Sequence, residues 1–262
     1  MSSPAKHEGN AVSASNEFDW EWAKRTGGNL TRAQQLRVAG RTLALIPSSV
    51  PGAVRYRLGR RGAGRLNFDD VRLPDSKLAT AAEEEARDTL PPWLFNHSMR
   101  TYFFARVLTQ IDGIKVDDEL AYAGSLLHDR GLDRPTPGRC FTVVGGERAV
   151  AVAEAVGVDP KRAQAVGAAA SDHANAGIDH HLDIPGGYVL AGSLVDCMAK
   201  RLDEFDPTWV AALLTRYPRL NLKRELITAL HAEARAVPNG RLNVVVRLMP
   251  ASLVMGAAPY SD

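Results

Sequence analysis

Cysteine is scarce in this chain. Two residues in 262, Cys140 and Cys197, cannot build a disulfide framework, so a reducing, cytoplasmic setting is expected. Long hydrophobic runs are missing too. The N-terminus has no apolar signal core, and no stretch approaches the ~20 apolar residues that cross a bilayer, which argues against export and membrane insertion. Neither sign of charge dominates: 32 basic and 30 acidic residues give a net +2, leaving no general reason to expect nucleic acid or a membrane as partner. Internal repeats are absent. The Gly-rich and Arg-rich stretch from Val54 to Arg72 lacks the Gly-Lys-Ser/Thr of a phosphate-binding loop, and with no aromatic stacking series beside its arginines it reads as a solvated loop or edge hairpin, with a basic anion-contacting surface as the alternative.

What remains is an ordinary globular composition patterned for helices. Residues 1–17 are small and polar and read as a disordered tail, 18–70 as an N-terminal extension, 71–250 as the main domain and 251–262 as a C-terminal tail. In the extension, Trp20 and Trp22 predict an arm whose indoles dock on the domain, with a lid over a site as the alternative. A helix capped by Thr31 is expected to end before Pro47. Helices are then predicted from Asp75 or Ser76, after Pro91-Pro92, and from Asp117. An irregular link is expected over 133–146. Further helices follow over 147–156 and 160–172, around Asp196, from about Trp209, and over 222–236, with a terminal helix or packing strap at 241–248. The fold class is all-α.

The stretch with chemistry in it is Ala121-Tyr-Ala-Gly-Ser-Leu-Leu-His-Asp-Arg-Gly131, where an apolar helical run delivers His128-Asp129 and stops at a glycine. Neighbouring helical residues point about 100° apart, so the two side chains share a target only off the helix end, with other helices completing the set. His97 upstream and Asp196 downstream are candidates. Two imidazoles and two carboxylates suit one divalent ion among Zn, Fe, Mn, Co and Mg, and mixed N/O ligation gives no sharp choice among them; Zn is the expectation taken forward. Asp196 lies among Leu194, Val195, Cys197 and Met198, and a carboxylate buried there needs a cation or hydrogen-bond donors. Cys197 reads as core.

This H…HD…D order resembles the HD superfamily of metal-dependent hydrolases. Leu73-Pro-Asp-Ser76, Phe95-Asn-His-Ser-Met-Arg-Thr-Tyr102 and Leu126-Leu-His-Asp-Arg-Gly131 resemble its cyanamide hydratase branch, over roughly residues 70 to 250. The resemblance implies an HD-domain helical bundle in which His97, His128, Asp129 and Asp196 hold the metal. It further implies a hydrolase or lyase activity in which a metal-activated water adds to a nitrile-type carbon, turning cyanamide into urea. His173 falls where that branch carries a pocket histidine, so Asp129 and His173 are the catalytic candidates for proton transfer. Arg130 and Val144 depart from the branch's pattern.

Arg100 and Thr101, one turn beyond His97, and Lys200, one turn beyond Asp196, are candidate substrate contacts. His180 and His181 are weaker candidates for a second ion. Two other functions remain open: a phosphohydrolase of nucleotides or other phosphate monoesters, with Arg100 and Arg130 as its clamp, and a ligand-binding domain without turnover. The expected partner is a small, uncharged substrate, with no nucleic acid and no membrane; self-association is left open.

Overall fold

The computed structural model describes residues 17–249, 255–256 and 258–261, with the backbone alone at 45–50. The expected tail at 1–17, apart from Glu17, and residues 251–254, 257 and 262 of the C-terminal tail lie outside the described residues. The fold is all-α. Among the described residues there are eleven α-helices and one short 3-10 turn, and no strand: α1 Trp20–Thr26, α2 Arg32–Arg57, α3 Lys77–Thr89, α4 Pro92–Asp112, α5 Asp118–Leu127, α6 Phe141–Ala155, α7 Pro160–Asp172, α8 Pro185–Met198, the turn Leu202–Glu204, α9 Pro207–Arg216, α10 Leu222–Ala236 and α11 Arg241–Leu248. No helix among them is long and apolar enough to cross a membrane.

Local chemistry explains most of the helix starts. Ser76, Asp117, Asp159 and Asp206 each accept a backbone N–H in the first turn of α3, α5, α7 and α9, and Pro92, Pro160, Pro185 and Pro207 occupy first positions where no N–H is needed. Two boundaries differ from expectation. α2 does not end before Pro47; it runs through Pro47 and Pro51 to Arg57, giving up the hydrogen bonds those prolines cannot donate. Tertiary contacts hold that distal half: a Cβ on Gly52 would lie 2.7 Å from the Arg201 nitrogen, and Arg55 Nε donates to Asp203 Oδ2 at 2.6 Å. The link predicted over 133–146 is shorter, because α6 begins at Phe141 and carries Gly145 and Gly146 inside it. Those glycines are sites of close approach. A Cβ on Gly146 would meet the Trp20 ring at 2.7 Å, and one on Gly145 the Arg130 carbonyl oxygen at the same distance.

The Gly-rich and Arg-rich stretch divides between the end of α2 and an exposed irregular segment over 58–72, consistent with a solvated loop. Arg60 and Arg65 pair there with Asp203 and Asp206.

α4 forms the centre, buried along most of its length and packed lengthwise against α8. Contact at that crossing depends on Gly192, whose added Cβ would lie 2.0 Å from the Thr101 carbonyl oxygen. Gly192→Ala is therefore expected to force α4 and α8 apart, lowering unfolding stability by about 3 kcal/mol in a urea titration. The aromatic arm docks. Phe18, Trp20 and Trp22 are buried, α1 packs on α6 and α7, and Trp20 Nε1 donates to Gln164 at 2.8 Å.

Candidate metal centre

α5 and α7 end at the same place and in the same way. His128 follows the last residue of α5 and donates from Nδ1 to the Ser125 carbonyl oxygen at 2.7 Å; His173 follows α7 and donates from Nδ1 to the Ala170 carbonyl oxygen at 2.6 Å. Each histidine thus satisfies one of the carbonyls that a helix end leaves open, and each is fixed with its Nε2 pointing off the helix. His97 on α4 is held alike. Its Nδ1 donates to Asp196 Oδ2 at 2.7 Å, leaving Nε2 on the opposite edge of the ring.

All three Nε2 atoms face Asp129. From Asp129 Oδ2 the distances are 3.2 Å to His128 and 3.7 Å to His97, and from Oδ1 it is 3.7 Å to His173. Ligand atoms around a tetrahedral ion with ~2.1 Å bonds stand about 3.4 Å apart. His97, His128 and Asp129 meet that spacing closely enough to hold a metal, all three are buried, and His128 Nε2 has no hydrogen-bond partner. Two helix C-termini, with their partial negative charge, add to a field that favours a cation.

The charges obey the same geometry. Burial opposes ionisation of Asp129, yet His128 above all, then His97 and His173, hold its carboxyl well below the usual range. Burial also opposes a charged His128, but Asp129 prevails and raises its pKa. Burial lowers the His97 pKa against the pull of Asp196, and burial with the charge of His128 lowers His173 to about 3.

Asp196 occupies a different place from the one expected of it. Its oxygens accept from Arg100 Nε and Nη2, both at 2.9 Å, from Arg219 Nη1 at 2.7 Å and from His97 Nδ1. It stands behind His97 rather than beside it. Of the two ways to keep that buried carboxylate, cation or donors, the fold uses donors: burial alone would raise its pKa, and Arg100 and Arg219 hold it far below the usual range. Asp196, His97 and the Cys197 thiol form a second cluster close enough for a metal. Cys197, read as core from sequence, in fact borders the cavity described below, its thiol pushed up by burial.

A cavity of about 200 Å³ opens from the imidazoles. His97, Asp129 and His173 form one end; Phe141, Leu190, Leu194, Leu226, Leu230, Leu242, Val245, Val246, Met249 and Met255 supply most of the rest. Arg100, Thr101 and Lys200, expected to touch substrate, are not in its wall. Arg100 is fully buried and committed to Asp196, Thr101 lies under the α4–α8 crossing, and Lys200 Nζ donates to Asp179 at 2.6 Å. His180 and His181 are exposed, with their rings 4.1 Å apart and tilted at 42°, and do not border the cavity.

Sequence reading missed Arg219, Arg241 and Glu233. Arg219 comes from the α9–α10 turn, and Arg241 ties the arm to the site by donating to the Phe18 carbonyl, Asn175 and Thr142. Glu233 of α10 accepts from the Phe141 N–H at 2.9 Å, capping α6 where Cys140 provides no side-chain cap. None of the three has a local motif, because each partner lies in a distant element. Burial, only partly offset by that N–H, raises the Glu233 carboxyl from 4.5 to about 7. A carboxyl whose pKa is higher folded than unfolded favours the fold while protonated, so this stability is complete below about pH 4.5 and is lost as pH rises through 7. Glu233→Gln keeps the acceptor without the charge. It is expected to match the native chain at pH 5 and exceed it at pH 8 by on the order of 2 kcal/mol in urea melts.

No family model matches the chain, and no curated protein matches it either.

Proposed function

We propose that the chain is an HD-type metal-dependent hydrolase or hydratase acting on a small uncharged molecule by adding water to a nitrile-type carbon. The observation that carries this reading is the set of three imidazole Nε2 atoms directed at one buried carboxylate, Asp129, at the end of an apolar cavity. His97, His128 and Asp129 would hold one divalent ion, zinc by preference, and such an ion brings the pKa of water toward neutrality and polarises an electron-poor carbon. Asp196 orients the His97 ring and keeps its proton on Nδ1, an outer-shell task that tunes a metal ligand without joining the ion. His173, neutral and with its Nδ1 proton engaged, keeps a lone pair on Nε2 to accept a proton from the attacking water. The cavity's apolar walls limit competing water.

Less supports the phosphohydrolase reading. Arg100 is consumed by Asp196, and Arg130 Nε reaches Glu85 at 3.3 Å, so neither guanidinium of the imagined clamp is presented to a phosphate. A ligand-binding domain without turnover would use the same cavity but needs no bound ion.

The test is metal analysis of the purified chain together with parallel assays for amide or urea formation from nitriles and cyanamide and for phosphate release from a general phosphoester. Stoichiometric metal with hydration supports the proposal. In that case His173→Ala is expected to retain the metal and lose turnover by about 100-fold or more. Phosphate release alone would overturn the hydratase assignment, and the absence of metal would favour the binding domain.

A further inference from the structure

The shape and chemistry of the cavity go beyond a metal and a minimal nitrile. Its volume is about 200 Å³. For comparison, an apolar cavity of about 150 Å³ accommodates benzene. Cyanamide, with three non-hydrogen atoms, would leave most of this space to water, and the mostly apolar lining offers water few partners. Leu226 and Leu230 of α10, Leu242, Val245 and Val246 of α11, and Met255 belong to that lining.

We infer that the substrate carries an uncharged apolar group, the size of a phenyl ring or a five- to six-carbon chain, bonded to the carbon that is hydrated. This inference rests on the proposed function for the reacting end and on the cavity wall for the rest. Written out, R–C≡N and H2O give R–C(=O)–NH2. A carbon–oxygen double bond forms, both carbon–nitrogen π bonds and both O–H bonds of the water break, and the two hydrogens end on nitrogen. R stays intact and serves as the handle. An uncharged R fits because the wall is mostly apolar and the Arg241 guanidinium in it is already bonded to the Phe18 carbonyl, Asn175 and Thr142. Met249 and Met255 in the lining let the wall adjust to branched or flat forms of R.

Binding of the product series tests this without turnover. Acetamide, butanamide, hexanamide and benzamide are titrated into the purified full-length chain, and the metal content of the same sample is measured separately. Each methylene entering the cavity is expected to tighten binding about fourfold, with benzamide close to hexanamide. Val246→Phe, which narrows the apolar cavity, is expected to flatten that dependence while leaving metal content unchanged. Leu242→Ala, a second variant of opposite sign, is expected to shift the optimum to longer chains. Equal affinities for acetamide and hexanamide would overturn the inference even if the metal is present in full. Full chain-length dependence without bound metal would retain the apolar pocket and remove the hydration assigned to it, overturning the inference as stated. The metal content thus separates failure of the functional reading from failure of the pocket reading.

Discussion

Asp129→Ala is expected to weaken binding of a divalent ion by at least about 100-fold, enough to leave the purified protein without stoichiometric metal. The reason is that Asp129 supplies the one anion facing three neutral or neutralisable imidazoles, so its loss removes both a ligand and the charge that draws the cation in. His128→Ala should behave similarly. Asp196→Asn should not: it loosens the orientation of His97 and is expected to cost about 10- to 100-fold in affinity while leaving the first ligands in place. Metal content after gel filtration and a competition titration against a chelator measure all three. If Asp129→Ala kept native metal content while Asp196→Asn and Cys197→Ala lost it, the ion would belong to the second cluster, that of His97, Asp196 and Cys197.

Arg100→Met is expected to destabilise the fold by roughly 3–5 kcal/mol, the usual cost of leaving one partner of a buried ion pair unmatched. Arg100 is fully buried and makes two bonds to Asp196, while its Nη1 donates to the carbonyls of Tyr217 and Pro218, tying α4 to the turn that carries Arg219. With Arg100 removed, Asp196 retains only Arg219 and His97. Placing Asp196→Asn in the same background should recover part of the loss, because the unmatched charge disappears. Urea titrations of the four chains in this cycle measure that coupling directly. Strictly additive losses would show that the guanidinium and the carboxylate do not depend on each other.

Helix positions were legible where the signal was local. Caps at Ser76, Asp117, Asp159 and Asp206 act within three residues of themselves, and a first-turn proline needs no distant partner. α2 was misjudged because its distal half is held by Asp203 and the backbone near Arg201, about 150 residues away, which outweighs the missing proline N–H groups. The link before α6 was overestimated for a related reason: Gly145 and Gly146 read as part of an irregular connection in sequence and act as clearance for Arg130 and Trp20 in the fold.

His97, His128, Asp129 and Asp196 were recognisable as a group, yet the division of labour among them was not. The histidine tautomers follow from the acceptors that Nδ1 meets, and Asp196 is defined by Arg100 and Arg219, which approach from α4 and the α9–α10 turn. By itself the amino-acid order determined an all-α chain and the residues able to bind an ion, since helix periodicity, capping and donor chemistry are properties of neighbours. Only the tertiary structure decided which edge of each imidazole faces the carboxylate, which acid stands behind, and how much apolar space lies in front. Those depend on distances between helices far apart in the chain, set by side-chain packing at crossings such as that of Gly192 on Thr101.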